Sequence, residues 1–401
     1  MANQEIDGNG GSVASVFAAF LRLGCTSFGG PVAHLGYFRT EFVERRKWLD
    51  EASYADIVAL CQFLPGPASS QVGVSLGLRR AGLLGGLAAW AGFTLPSAVL
   101  MVLFAYGVAR FGNVEHAGWL QGLKIVAVAV VAQAIWGMAR TLCPDRSRAS
   151  LAVAAALLAL AVPAAIGQIA AIVLGGLIGW RFLPAMASPP VGAAPAMPRS
   201  RIAIPALVAF AGLLLGLPVL ADMSDSHALE LVARFYRSGA LVFGGGHVVL
   251  PLLQQAVVAP GWIDGGGFLA GYGAAQAMPG PLFTFAAYLG AAMVPSPHGW
   301  LGAGLCLLAI YLPSFLLLIG ILPFWEGLRR RAAVQAILRG VNAAVVGLLI
   351  AAFYTPVWTG GVRSGADFAV GLTAFLLLVF WRVPPWIVVV LGAASGTVLA
   401  V

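Results

Sequence analysis

Two arginines stand inside otherwise apolar segments, each six residues ahead of a Phe-Gly-Gly motif. Arg22 precedes Phe28-Gly29-Gly30-Pro31, and Arg237 precedes Phe243-Gly244-Gly245-Gly246-His247. A cation in the middle of a membrane helix costs roughly 2.5–3.5 kcal/mol on insertion scales, so its presence asks for a reason. A guanidinium keeps its charge and offers five donors, which suits a tetrahedral oxyanion. The other reading is that both side chains snorkel to an interface or cap the carbonyls of a broken helix.

A second pair of motifs, Pro65-Gly66-Pro67 and Pro279-Gly280-Pro281, interrupts two further apolar segments. Proline removes a backbone donor and restricts its predecessor, while the glycine between permits close backbone approach. The spacing predicts a helix break at each, followed by a fresh first turn carrying Ser69 and Ser70 in one copy and Thr284 in the other. Such a helix start, with free N–H groups and the positive dipole end, binds anions without a formal charge. A simple packing kink is the alternative.

The remaining polar candidates are few. Gln62 and Gln276, three residues before each PGP, are placed to hydrogen-bond a substrate or to staple the broken helix. His34 and His247 follow the glycine motifs and are candidates for proton coupling, although a lone membrane histidine is more often a structural hydrogen bonder. Asp56 is the one carboxylate expected within reach; the residue 214 further on is Ala270, so a proton role for it would be confined to one half. The four cysteines lack CxxC spacing and read as small packing residues. There is no Walker A motif, dinucleotide fingerprint, HExxH or Ser-His-Asp set, so neither a cofactor, a metal centre nor an enzyme is expected.

The elements that position these residues follow from composition. Of 401 residues, 60% are hydrophobic and only 9% charged, against roughly 25% charged in a soluble domain. Mean hydropathy is +0.92. Lipid must be the solvent for most of the chain. The net charge of +8 comes from basic residues scattered at the ends of apolar runs, which marks membrane flanks and not nucleic-acid binding. Residues 1–12 are acidic and lack a basic leader region, so the first apolar segment is expected to stay in the mature protein. Apolar segments span 13–36, 54–78, 82–109, 118–140, 149–183, 202–221, 230–257, 267–293, 299–325, 333–356 and 367–401. The two long ones are split by Pro163 and by Pro384-Pro385. The expected fold is an all-α polytopic membrane protein with about 10–13 segments. Lys and Arg counts favour a cytoplasmic N-terminus, with the Arg39–Lys47 cluster arguing the other way unless it is an interfacial helix.

The chain also repeats itself. The Arg22 and FGG motif returns after 215 residues. Trp48, Asp50, Gln62 and PGP return after 214 as Trp262, Asp264, Gln276 and PGP. Leu95-Pro96-Ser97 returns as Leu312-Pro313-Ser314. Four motifs in one order define a duplication: a first repeat over 13–183, a linker with a connecting transmembrane helix over 184–229, and a second repeat over 230–401. An even number of crossings per repeat plus one connecting helix predicts that the second copy is inverted, an architecture used by transporters.

The strings Thr26-Ser27-Phe28-Gly29-Gly30-Pro31, Gln62-Phe63-Leu64-Pro65-Gly66-Pro67-Ala68-Ser69-Ser70-Gln71 and Phe243-Gly244-Gly245-Gly246-His247, with Gln276-Ala277-Met278-Pro279-Gly280-Pro281, resemble the two halves of the chromate ion transporter family in its long, two-domain form. That resemblance implies secondary active export of chromate across the bacterial inner membrane, chromate resistance, and competition by sulfate, a chromate isostere. The residues themselves suit any tetrahedral dianion. A transporter or passive channel for sulfate or another oxyanion remains open, and a membrane-embedded lipid enzyme is less well supported because no cluster of carboxylates or histidines is present.

Overall fold

The computed structural model describes residues 12–110, 118–162, 165–184, 202–329 and 331–399. These are all-helical, with no strand among the described residues. The first repeat runs through α1 (Val13–Thr26), α2 (Gly30–Phe38), α3 (Glu51–Phe63), α4 (Ala68–Arg110), α5 (Gly118–Leu142), α6 (Arg146–Ala161) and α7 (Ala165–Phe182). A connecting helix, α8 (Ala203–Asp222), leads into the second repeat. There follow α9 (His227–Ala240), α10 (Val249–Val257), α11 (Gly265–Ala275), α12 (Phe285–Ala292), α13 (Gly299–Ile321), α14 (Trp325–Arg329), α15 (Ala332–Ala352), α16 (Thr359–Gly361), α17 (Gly365–Val379) and α18 (Pro385–Leu399). Most of the Pro-rich linker, and Pro163, lie outside the described residues.

Six stretches among the described residues are long and apolar enough to cross a bilayer: 68–110, 118–142, 165–182, 203–222, 299–324 and 332–361. Shorter apolar helices include α1, which precedes them, and α17 and α18, which follow. The chain is a multi-pass membrane protein. The breaks fall where glycine and proline predict: α1 stops before Gly29, α3 before Pro65, α9 before Gly244 and α11 before Pro279. The two long segments, 149–183 and 367–401, each resolve into two helices, α6–α7 and α17–α18. A further break separates the expected segments 54–78 and 82–109. Ala81 and Gly82 leave helical geometry, so α4 is two helices in tandem, matching α12 followed by α13.

The repeated Trp-x-Asp element proves to be capping chemistry. Asp50 accepts from the Ser53 amide at the start of α3, and Asp264 accepts from the Gly267 amide at the start of α11. Those hydrogen bonds hold the exposed Asp50 carboxyl below the usual carboxylate range. The Arg39–Lys47 cluster begins as a wide helical turn, Arg39–Arg45, whose charges are paired, Arg39 with Glu44 and with Glu51 of α3, and Glu41 with Arg45 and Arg46.

Within each repeat the first helix packs on the long helix after PGP, α1 on α4 and α9 on α13. The last two helices of each repeat instead pack on the other repeat: α6 and α7 embrace α15, and α17 and α18 embrace α5. Glycines permit this exchange. A side chain at Gly122 would strike the Gly392 backbone, and one at Gly340 the Gly175 backbone. Helices in lipid gain from such close approach because no hydrophobic force drives them together. Gly122→Val or Gly340→Val is expected to lower the unfolding temperature of the purified protein by several degrees, consistent with an overpacking cost of about 1–3 kcal/mol. Gly304→Val, with open space at its side-chain position, serves as the neutral comparison; equal unfolding temperatures for all three would contradict the exchange.

Candidate functional site

The helix breaks of the two repeats meet each other. The Gly66 amide donates to the Val242 carbonyl at 2.7 Å, and the Gly280 amide donates to the Ser27 carbonyl at 2.8 Å. Val242 lies 215 residues after Ser27, and Gly280 lies 214 after Gly66, so the two bonds are one bond written twice. Each PGP glycine is therefore held by the FGG break of the opposite repeat. Backbone groups freed by a helix break in lipid must find a partner in the protein, and here each repeat supplies it to the other.

The glycines have steric reasons for being there. Gly66 and Gly280 have φ of 119° and 88°. A side-chain carbon at Gly66 would lie 2.6 Å from Ser314 Oγ, and one at Gly280 2.9 Å from Ser97 Oγ. These serines belong to the repeated Leu-Pro-Ser motif, so it too crosses between repeats. Gly29, Gly30, Gly244 and Gly245 are all left-handed as well. Pro31 and Gly246, equivalent residues by the 215 step, face each other: a side-chain carbon at Gly246 would lie 3.5 Å from Pro31 Cγ. Equivalent residues touch only near a two-fold axis, so the axis runs through the breaks.

Around this axis the polar candidates fall into place unequally. His34 is fully buried, with Nε2 3.2 Å from the Ser27 carbonyl and Nδ1 3.4 Å from Ser69 Oγ. A carbonyl only accepts, which assigns the proton to Nε2 and leaves Nδ1 to accept from Ser69. His34 thus ties the FGG break to the first turn after PGP. Ser70 is buried in that same turn. The second copy differs: a 3-10 turn, Leu282–Thr284, precedes α12, and Thr284 Oγ1 donates to the Pro281 carbonyl. His247 Nδ1 lies 2.7 Å from the Tyr272 hydroxyl, whose other neighbour is Gln276.

Other candidates stand apart from this core. Arg22 and Gln62 are exposed, and the structure does not bring them to the breaks. The staple expected of Gln62 is made by Gln71, whose Nε2 donates to the Pro65 carbonyl at 2.9 Å. Asp56 accepts from Trp325 Nε1 of the second repeat. Arg237 is half-buried in a cleft with Gln168, Ser238 and Gln255, away from its counterpart. That cleft lies where α7 crosses α10, fastened by Gln168 Nε2 donating to the Pro251 carbonyl at 3.1 Å. In the first repeat Gly29, Gly36 and Tyr37 are exposed, and α18 approaches through Trp386, whose ring lies 6.2 Å from that of Phe28. The two repeats therefore share a plan and differ in closure.

Sequence reading also passed over Lys124, buried in α5 at 4% exposure. Its Nζ and Asp264 Oδ1 both crowd the place a side chain at Gly266 would take. The 215 step from Lys124 to Arg339 would have marked it. No group of three or more His, Cys, Asp or Glu side chains that could hold a metal is present among the described residues.

Interlocked repeats of broken helices in a multi-pass chain define a membrane protein of the duplicated, broken-helix class. The chain belongs to the chromate transporter family, whose model matches residues 14–180 and 229–397. It is 29% identical to the chromate transport protein of Pseudomonas aeruginosa, over 96% of this chain and 91% of that one. It is 26% identical to the chromate transport protein of Cupriavidus metallidurans, over 94% of this chain and 91% of the relative. No solved structure matches it.

The crossed hydrogen bonds make a crossed prediction. Gly66→Ala is expected to speed backbone hydrogen exchange around 241–247, and Gly280→Ala around 27–31, each in the repeat that was not altered. Exchange mass spectrometry showing changes confined to the altered repeat would contradict the arrangement.

Proposed function

We propose that this protein is a secondary active exporter of chromate across the bacterial inner membrane, conferring chromate resistance, with sulfate as a competitor. The single observation that carries the reading is the reciprocal contact of the PGP and FGG breaks in a chain of the chromate transporter family. The FGG glycines, Gly29, Gly30, Gly244 and Gly245, and the PGP residues Pro65, Gly66, Pro67, Pro279, Gly280 and Pro281 frame the oxyanion path. Ser69, Ser70, Thr284 and Gln276 supply neutral polar groups beside it. Such groups hold a dianion firmly enough to admit it and loosely enough to release it.

Arg22 and Arg237 act at the approaches. A half-exposed guanidinium raises the local anion concentration without trapping the ion at the centre. The unequal exposure of α2 and of α10, which α7 covers, supports alternating exposure of a central site, which favours a transporter over a continuously open channel. The inverted relation of the repeats belongs to this reading. Chromate itself protonates near neutral pH, so the anion is able to carry a proton where few carboxylates are at hand. His34 and His247 remain the side chains through which coupling would pass.

Everted membrane vesicles containing the protein are expected to accumulate labelled chromate beyond its equilibrium distribution. An uncoupler should abolish that accumulation, and excess sulfate should reduce it. Equilibration without accumulation would indicate a channel, and no chromate uptake in vesicles holding a verified gradient would sink the substrate.

A further inference from the structure

Five hydroxyl groups near the axis are buried without a hydrogen-bond partner, Ser27, Ser70, Thr94, Tyr311 and Ser314, none more than 2% exposed, and the last four draw together. Such groups are rare in a packed interior, since a buried donor left unpaired loses its water and gains nothing. The Tyr311 hydroxyl lies close to those of Ser70 and Thr94 without meeting hydrogen-bond geometry. Ser314 follows Tyr311 by three residues, so both project from one face of α13, and Ser314 Oγ borders Gly66. Trp90, one turn before Thr94, packs its ring 5.7 Å from that of Tyr311, and its Nε1 also lacks a partner.

The duplication shows that packing alone does not demand this. Thr94 and Tyr311 are equivalent across the 217-residue step, as are Ser97 and Ser314. Ser70 is equivalent to Thr284. Ser97 donates to the Thr94 carbonyl and Thr284 to the Pro281 carbonyl. Their partners Ser314 and Ser70 do not, although the helices around them match. Ser70, Thr94, Tyr311 and Ser314 therefore gather beside the PGP of the first repeat, whereas at the second PGP the unpaired donors are Ser27 Oγ and Gln276 Nε2.

We propose that Ser70, Thr94, Tyr311 and Ser314, with Trp90 Nε1, form the central binding site in which the transported oxyanion is held dehydrated by neutral donors, with Tyr311 the specificity-determining residue. The inference rests on the oxyanion-transport reading above and adds Thr94, Tyr311, Ser314 and Trp90, which that reading does not use. Hydroxyls are donors of adjustable direction, so four of them can close on a tetrahedral anion whose oxygens accept on every side. No charged side chain enters the cluster, so the ion is selected by shape and donor placement and is not trapped by a fixed cation. A tyrosine hydroxyl on a stiff ring sets the distance across the site.

The test is uptake kinetics in proteoliposomes of the full chain, with chromate and sulfate measured separately. Tyr311→Phe is expected to raise the chromate KM about tenfold with little change in maximal rate, and to alter the chromate-to-sulfate ratio. Thr94→Val and Ser70→Ala should raise KM likewise, and Thr94→Ser, which keeps the donor, should restore it. Tyr236→Phe, whose hydroxyl bonds the Phe210 carbonyl at a distant contact, should leave KM unchanged. If Tyr311→Phe does not yield a monodisperse protein, Ser70→Ala and Thr94→Val read the same site. Unchanged KM values beside normal uptake by the unsubstituted protein would overturn the hydroxyl site alone. Absence of uptake by the unsubstituted protein would overturn the transport reading and this site with it.

Discussion

Two backbone hydrogen bonds, Gly66 to Val242 and Gly280 to Ser27, hold this architecture together at its centre. A helix broken inside lipid exposes N–H and C=O groups that water cannot reach, and leaving them unpaired costs several kcal/mol each. Neither repeat satisfies its own break. Each completes the other's, so the halves cannot separate without uncovering four broken ends. The left-handed glycines, the serines of the Leu-Pro-Ser motif and the buried His34 are arranged around that exchange.

The swapped outer helices serve the same end. By packing α6 and α7 on α15, and α17 and α18 on α5, each repeat clasps the long helix of its partner. The core is thereby fixed, while the faces beside it are free to differ. On one side α7 covers α10 and Arg237 is half-buried; on the other Gly36 and Tyr37 of α2 and Arg22 are exposed. A shared fold in two states of closure is what a pseudo-symmetric transporter would use to face either side in turn.

Much of this was legible in the sequence because every important motif occurs twice. FGG and PGP announce helix breaks from the chemistry of glycine and proline alone, and the breaks lie where those residues stand. Which break answers which was not legible, because the partner lies more than 170 residues away and has no side chain to mark it. The facing of Arg22 was legible and passed over. Ser15, Arg22 and Thr26 share one face of α1, and the packing of Phe20, Leu23 and Gly24 on α4 turns that face outward. Gln62 was chosen over Gln71 by the repeat, whereas the staple depends on a side chain reaching back from the new helix. Thr94 and Tyr311 escaped because equivalent positions carry different residue types in otherwise apolar runs.

A site shared by both repeats has a stoichiometry. Equilibrium binding of labelled chromate to the purified full-length chain is expected to saturate at one anion per chain, and Gly66→Ala or Gly280→Ala should each weaken that one site. Saturation at two anions per chain, with each substitution removing only one of them, would mean that the repeats bind separately and would contradict the shared centre.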